Sequence, residues 1–232
     1  GESTPEAKKL VWVGGILCGI ALFAAESFQQ FGLIQTPVGK AGFLTALYII
    51  FVPLIALFRG KRSSGILWIA VLIAMAGLYF LSVKGDFSVG SGDILCIAGA
   101  VCYAIQILII DRYAPKVDGV KLCCIMFLTG GVLGAFFTLI FEPGLTLSAI
   151  KAALPAILYV GILSNGVAYT LQVIGQKGAN PTIASLTMSL ESVFAVISGW
   201  LILGQTLNLR EALGCLLMAC AIVIAQLPTK NK

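Results

Sequence analysis

The sequence predicts an all-α integral membrane protein, with eight transmembrane helices visible of an inverted-repeat bundle of five plus five helices. Three observations predict this fold class. First, 59% of the 232 residues are hydrophobic and only 11% are charged, whereas a soluble domain carries about 25% charged residues. Second, the chain contains eight apolar runs, most of them long enough to cross a bilayer as a helix. Third, two stretches share one order of polar and apolar features.

Short loops rich in Gly, Pro, Ser and Asp separate the eight runs. Barrel strands alternate apolar and polar positions over about 10 residues, and these runs do not alternate. We therefore predict helices, which satisfy their own backbone polar groups in lipid. Pro53 in the second run predicts a bend, and Gly15 with Gly19 in the first predicts close helix packing. The runs are Leu10–Phe31, Ala41–Phe58, Gly65–Val83, Ile94–Ile110, Leu122–Phe141, Leu154–Gly175, Thr182–Leu203 and Ala212–Leu227.

The two related stretches are Phe28–Tyr48 and Leu171–Glu191, aligned at a constant offset of 143 residues. This offset places Gln29 on Gln172, and it pairs the first, second and third runs with the sixth, seventh and eighth. Paired runs are five spans apart. Because five is odd, the two copies must have opposite orientations in the membrane. Inverted repeats are typical of secondary transporters, whose substrate sites lie at the repeat interface.

The repeat divides the chain into five predicted segments. They are a polar N-terminal segment at 1–9, an incomplete first repeat of three spans at 10–83, an inter-repeat loop at 84–93, a second repeat of five spans at 94–227, and a cytoplasmic tail at 228–232. Two leading spans of the first copy are missing before Leu10, so we expect a fragment or a truncated protein.

Loop charges predict the orientation. If the segment before Leu10 is cytoplasmic, eleven of the fifteen Lys and Arg residues lie on that side, and the other four are Lys40, Lys84, Lys151 and Arg210. Cytoplasmic loops of membrane proteins carry such an excess of basic residues. We therefore expect a multi-pass protein of the cell membrane with both ends of this chain cytoplasmic. The net charge of +5 is then a topology signal, and we expect no nucleic-acid partner.

The residue types also bear on catalysis and cofactors. The chain has no histidine, and its seven cysteines lie within or at the edges of apolar runs. Zinc sites need Cys and His ligands at characteristic spacings, so we expect no metal and no cofactor. An intramembrane enzyme would need a nucleophile beside a base, or metal ligands. We therefore expect that the protein is not an enzyme.

Polar side chains inside the apolar runs are the candidate substrate-binding residues, because such residues are costly in lipid and usually face a cavity or the bundle interior. Three of them share one helix face in the first run, and three form one stripe at α-helical spacing in the sixth. The candidates are Glu26, Gln29, Gln30, Tyr48, Tyr103, Gln106, Asn165, Tyr169, Gln172 and Glu191.

Two alternatives stay open for these residues. Glu191 lies in mid-run, where an ionised carboxylate costs roughly 2.5–3.5 kcal/mol on insertion scales. It either binds a substrate amine or a proton, or makes a structural hydrogen bond to a neighbouring helix. Glu26 either serves a substrate or an ion, or is simply hydrated at the outer mouth, with Lys40 as its nearest basic candidate partner. Gln29 and Gln172 either line the cavity or join helices.

Two stretches, Gly32–Leu57 and Ile174–Leu207, resemble the EamA type of the drug/metabolite transporter superfamily. Their sequences are GLIQTPVGKAGFLTALYIIFVPLIAL and IGQKGANPTIASLTMSLESVFAVISGWLILGQTL. The second is similar to the family's repeat signature, a small-residue turn followed by a Glu in mid-helix. The chain departs from it at Ser192, where the family has Pro, and at Gly204-Gln205, where the family has Gly-Glu.

The resemblance implies two five-helix inverted halves around a central cavity. It implies a secondary transporter of a small organic metabolite, amino acid-like or drug-like, that works in export by alternating access. The expected partners are the lipid bilayer and a small-molecule solute, with protons and a second copy of the chain left open. The alternatives are a structural or regulatory membrane subunit without transport activity, and an inactive truncated transporter.

Overall fold

The structure is a computed structural model that describes residues 5–60, 64–82, 90–142, 144, 146–203 and 208–227. Its described part contains helices and no strand. The whole predicted tail at 228–232, parts of the predicted segments at 1–9 and 84–93, and the Gly204-Gln205 pair lie outside the described residues. The helices are α1 Pro5–Leu33, α2 Val38–Thr45, α3 Tyr48–Phe58, α4 Gly65–Ser82, α5 Ser91–Tyr113, α6 Gly119–Phe141, α7 Leu147–Leu158, α8 Thr170–Gln176, α9 Pro181–Met188, α10 Glu191–Leu203 and α11 Leu209–Gln226, with a 3-10 turn at Ala114–Lys116 and a π-helix at Tyr159–Tyr169.

Eight helical segments of the described chain are long and apolar enough to cross a membrane. Each contains one of the eight predicted runs, apart from the last residues of a few runs. Some segments combine several helices, since Val38–Phe58 holds α2 and α3 while Leu147–Gln176 holds α7, the π-helix and α8. The predicted all-α membrane fold is confirmed.

The described chain forms two compact units, and the first comprises Gly1–Phe23 with Ile109–Ala179. In it the beginning of α1 packs against α6 through two glycines. A Cβ atom on Gly19 would lie 2.5 Å from the backbone oxygen of Met126, and one on Gly15 would lie 2.5 Å from the Cβ atom of Ile125. No larger residue fits this contact, so the close packing predicted for the two glycines is confirmed.

The second unit comprises Ala24–Leu108 with Asn180–Lys232 and holds the largest buried apolar cluster. Its most extensive helix pair is α4 with α11. The backbones meet at Gly77 and Gly214, because a Cβ atom on Gly214 would lie 2.8 Å from the Gly77 oxygen. Gly77 also faces Met218, while Gly214 faces Leu81. The later residue of α4, Leu81, thus faces the earlier residue of α11, Gly214, so α4 and α11 run antiparallel.

Candidate functional site

The second and seventh membrane spans are each interrupted within the apolar run. The second consists of α2 and α3, separated by Ala46 and Leu47, and the seventh consists of α9 and α10, separated by Ser189 and Leu190. The first and last residues of α2 and α9 differ by the predicted offset of 143, as do the first residues of α3 and α10. Equivalent interruptions at one constant offset indicate that the same local structure is used twice.

The two interruptions also share their hydrogen bonds. Leu47 N donates to Leu44 O at 3.2 Å, and Leu190 N donates to Thr187 O at 3.2 Å. These are i to i−3 bonds of the 3-10 type, which tighten a helix and are often found at functional hinges. The sequence predicted a bend at Pro53, but the helix is interrupted earlier, and Pro53 lies inside α3. Neither glycine nor proline stands at either interruption.

The first residue after each interruption is polar, Tyr48 in α3 and Glu191 in α10. Tyr48 is 4% exposed, and its hydroxyl has no hydrogen-bond partner in the described part of the chain. Thr45, the last residue of α2, is also buried, and its Oγ1 atom likewise has no partner among the described residues. Buried polar groups are usually hydrogen-bonded, so both hydroxyls are available to a further hydrogen-bonding partner.

Glu191 is an electrostatic neighbour of Tyr48. It is the first residue of α10, so the mid-helix position implied by the family signature is wrong, whereas its position in the middle of a membrane span is confirmed. The backbone hydrogen bonds continue through the interruption into α10, since Ser192 N donates to Ser189 O at 3.3 Å and Phe194 N donates to Leu190 O at 2.9 Å.

Two further candidates lie close to Tyr48 in the same unit. The Tyr103 ring of α5 lies edge-on to the Tyr48 ring, with centroids 6.5 Å apart. The Tyr103 hydroxyl donates to Gln29 Oε1 of α1 at 2.9 Å. Gln29 thus joins two helices, which is one of its two predicted roles, and the same contact orients Tyr103 toward the interruption.

The other candidates of this unit differ in exposure. Gln106, one turn after Tyr103 on α5, is 1% exposed, whereas Glu26 is half-buried and Gln30 is exposed. Glu26 forms no ion pair or hydrogen bond with another described side chain. The predicted candidate partner, Lys40, pairs instead with Asp93, the two atoms Nζ and Oδ2 being 2.5 Å apart.

Asp93 joins three parts of the second unit through its carboxylate, a role that was not predicted from the sequence. Its carboxylate is 3% exposed and also accepts from Thr36 Oγ1 at 2.9 Å and from Gly90 N at 2.7 Å. It ties the α1–α2 turn to the first turn of α5, close to the end of α1 that carries Gln29. Asp93 was assigned to a loop because Gly and Ser precede it, yet an acid three residues into a helix after Ser and Gly is itself a signal of a helix N-terminus.

The remaining three candidates, Asn165, Tyr169 and Gln172, belong to the first unit, and each is half-buried. Asn165 and Tyr169 lie in the π-helix, where hydrogen bonds run from i to i+5 and the α-helical spacing does not hold. The α-helical spacing expected at Asn165 and Tyr169 is therefore wrong, and a common stripe of the three residues stays a prediction. Tyr169 packs edge-on against Phe127 of α6, with centroids 6.4 Å apart.

The profile of the EamA-like transporter family matches residues 90–226, which is more than half of the chain. The chain belongs to the EamA-like transporter family. The match includes Tyr103, Gln106 and Glu191, together with all three candidates of the first unit. The family assignment predicted from the repeat stretches is confirmed.

This EamA-like chain is also similar to individual proteins. It is 29% identical over 223 residues to an uncharacterized transporter of Archaeoglobus fulgidus, covering 92% of the chain and 68% of that protein. It is 31% identical over 176 residues to the threonine/homoserine exporter RhtA of Escherichia coli K12, covering 71% of the chain and 56% of the exporter. The chain thus spans little more than half the length of that exporter. A solved crystal structure of a protein matches with a TM-score of 0.77 at 22% identity, covering 94% of this chain and 76% of the other, and so shares its fold.

Proposed function

We propose that this EamA-like chain forms the solute pathway of a secondary transporter that exports a small amino acid-like or drug-like metabolite across the cytoplasmic membrane. The paired interruptions carry the proposal, because they place Tyr48 and Glu191 at equivalent positions as electrostatic neighbours. Discontinuous membrane helices are typical of transporter sites, where the freed backbone and helix ends contact the solute. Membership of a transporter family and relatives named as threonine/homoserine exporters support the same function.

The two residues offer complementary chemistry to such a solute. The Glu191 carboxylate accepts hydrogen bonds from an ammonium group, and the Tyr48 hydroxyl donates one to a carboxylate or carbonyl oxygen. A buried hydroxyl left without a partner costs about 1–3 kcal/mol, so a solute that supplies an acceptor removes this penalty. Tyr103, held by Gln29 at 2.9 Å, forms an aromatic wall beside Tyr48. In this proposal the interruptions act as hinges for alternating access.

Proton coupling is the second part of the proposal. Glu26 and Glu191 lie within membrane spans, and neither forms an ion pair with a described residue. A carboxylate that is not held in an ion pair is available to a proton as well as to a cationic solute. Solute and proton then compete for Glu191. A transport rate that is independent of pH and unchanged by Glu→Gln at both positions would remove this part of the proposal.

We place both ends of this chain on the cytoplasmic side. The alternation of spans assigns three lysine-bearing parts of the chain to the cytoplasm. Lysines from these three parts line one pocket of the first unit. Lys40, assigned to the opposite side, lies in the first turn of α2 and pairs with Asp93 of α5. A fluorescent protein fused after Lys232 will fold and fluoresce if that end is cytoplasmic. Loss of fluorescence with gain of activity from a periplasmic reporter enzyme at the same point would reverse the orientation.

The decisive experiment measures transport by the purified protein in liposomes. The assay is counterflow of labelled threonine and homoserine, and the variants are Glu191→Gln and Tyr48→Phe. Their matched controls are Glu142→Gln at the exposed end of α6 and Tyr159→Phe, whose ring is 65% exposed. We expect at least a tenfold loss in each site variant, equivalent to about 1.4 kcal/mol, and none in the controls.

Two outcomes would contradict the proposal. Equal transport by site variants and controls would show that the interruptions do not form the solute site. No flux of any amino acid by wild-type protein that retains its helical content would favour a structural or regulatory subunit without transport activity.

A further inference from the structure

A basic pocket of about 590 Å³ lies within the first unit. It is formed by the beginning of α1, the 3-10 turn before α6, the beginning of α6 and the turn after α8. Four lysines from these elements line it, namely Lys8, Lys116, Lys121 and Lys177. They are separated by up to 169 residues in sequence, so the fold brings them together.

The pocket has a large excess of positive charge. Among the described residues that line it, the one acid is Asp118, and its carboxylate already caps the beginning of α6. Asp118 Oδ1 accepts from Val120 N at 2.8 Å and from Lys121 N at 3.2 Å, and Oδ2 lies 3.9 Å from Lys121 Nζ. Lys8, Lys116 and Lys177 form no ion pair within the described residues. Three like charges around one cavity repel one another, and an anionic ligand relieves that repulsion.

The rest of the lining is apolar and continues onto the membrane-facing surface. Trp12, Val11 and Ile125 contribute to the wall, and Trp12 is 53% exposed. One turn beyond Trp12, the α1 side chain Ile16 is 40% exposed, in a segment long enough to cross a bilayer. Tryptophan concentrates at the level of lipid headgroups. The pocket therefore combines a cationic mouth with an apolar wall that leads into the hydrocarbon region.

We propose that this lysine pocket binds the phosphate headgroup of an anionic phospholipid, with the acyl chains lying along the exposed apolar face of α1. A phosphodiester with hydrocarbon chains matches both halves of the lining, whereas a free phosphate compound matches only the lysines. Basic pockets between membrane helices on the cytoplasmic side are known places for anionic headgroups. This proposal does not depend on the transport function proposed for the interrupted spans.

The test compares lipid binding by wild-type protein and two charge-matched double variants. The pocket variant is Lys116→Gln with Lys177→Gln, and the control is Lys9→Gln with Lys151→Gln, two exposed lysines outside the pocket. Native mass spectrometry in detergent counts bound phosphatidylglycerol and phosphatidylcholine as each is titrated. We expect one phosphatidylglycerol per chain, bound about 30-fold more weakly by the pocket variant. Each Lys near an anionic lipid surface strengthens binding about fivefold, and the variant lacks two of them. The control should bind like wild type.

A second readout locates the lipid. With Trp68→Phe and Trp200→Phe, Trp12 is the remaining tryptophan of the three, and phosphatidylglycerol with brominated acyl chains should quench its fluorescence. Inorganic phosphate and glycerol phosphate should not displace the lipid at comparable concentration. Equal weakening by both double variants, equal binding of phosphatidylcholine, or displacement by free phosphate compounds would each overturn the proposal. Circular dichroism and size-exclusion profiles confirm that the variants compared are folded.

Discussion

The crossing of α4 and α11 gives a quantitative prediction for Gly214→Ala. A Cβ atom there would lie 2.8 Å from the Gly77 oxygen, 2.8 Å from Leu81 Cγ and 3.1 Å from Leu81 N. Two of these three neighbours are backbone atoms of the facing helix, which cannot move aside as a flexible side chain can. The helices must separate, and overpacking of this kind costs about 1–3 kcal/mol. The apolar cluster beneath, which includes the fully buried Leu78 and Met218, would loosen with them.

The assay is the melting temperature of the detergent-solubilised protein, followed by size-exclusion chromatography after heating. For a chain of this size 1 kcal/mol corresponds to roughly 2–4 °C, so Gly214→Ala should lower the melting temperature by roughly 2–12 °C. The matched control is Gly130→Ala in α6, where a Cβ atom would meet nothing within 4 Å. Alanine in an open helix position is neutral or stabilises by up to about 1 kcal/mol. Equal melting temperatures for Gly214→Ala and Gly130→Ala would refute the backbone contact between α4 and α11.

Three further predictions concern stability and are measured as melting temperatures. Tyr48→Phe should leave the protein as stable or raise its stability by about 1 kcal/mol, because it removes a hydroxyl without a partner; a clear loss would show that the hydroxyl is paired. Asp93→Asn should destabilise by about 3–5 kcal/mol, because the Lys40 ammonium, 13% exposed, would lose its counter-charge; adding Lys40→Met should recover part of the loss, and no recovery would contradict the ion pair. Gly178→Ala should cost about 1 kcal/mol relative to Gly175→Ala, because only Gly178 has a positive φ, 82°; equal stabilities would contradict that conformation.

Much of the fold could be predicted from the sequence because the bilayer imposes length and apolarity on each span. Eight apolar runs give eight spans, and their pairing at an offset of 143 anticipates the shared boundaries of α2 and α9. The turn at Gly178 and Asn180 could be predicted as well. Glycine adopts the positive φ that ends α8, and the Asn180 side chain accepts from Thr182 N at 2.9 Å to begin α9.

The interruptions of the two spans could not be predicted, because their sequences are continuous with the apolar runs. Leu47 and Leu190 are good helix formers, and only the hydrogen bonds to Leu44 and Thr187 reveal the 3-10 turn. The sequence instead predicts a bend at Pro53, because proline removes a backbone hydrogen bond. The π-helix is similarly hidden, since its residues Tyr159–Tyr169 carry no composition that distinguishes them from an α-helix.

Two other features were not predicted, one of which left a signal in the sequence. The third and eighth runs lack charged residues, but each carries small residues on one face, among them Ala70, Ala74 and Gly77 in α4. Small residues at that spacing allow helix backbones to approach. The lysines of the basic pocket were interpreted only as an orientation signal, because residues far apart in sequence give no hint that they surround one cavity.

The central claim is that Tyr48 and Glu191 act together on one solute, and a double-mutant cycle of solute binding tests it most directly. Dissociation constants of threonine or homoserine are measured at equilibrium for wild type, Tyr48→Phe, Glu191→Gln and the double variant. Residues that contact one ligand show coupling of about 0.5–3 kcal/mol, so the double variant should bind more tightly than the two single losses predict when added. Losses that add within about 0.3 kcal/mol, or single variants that bind like wild type, would contradict the claim that the two interruptions form one site.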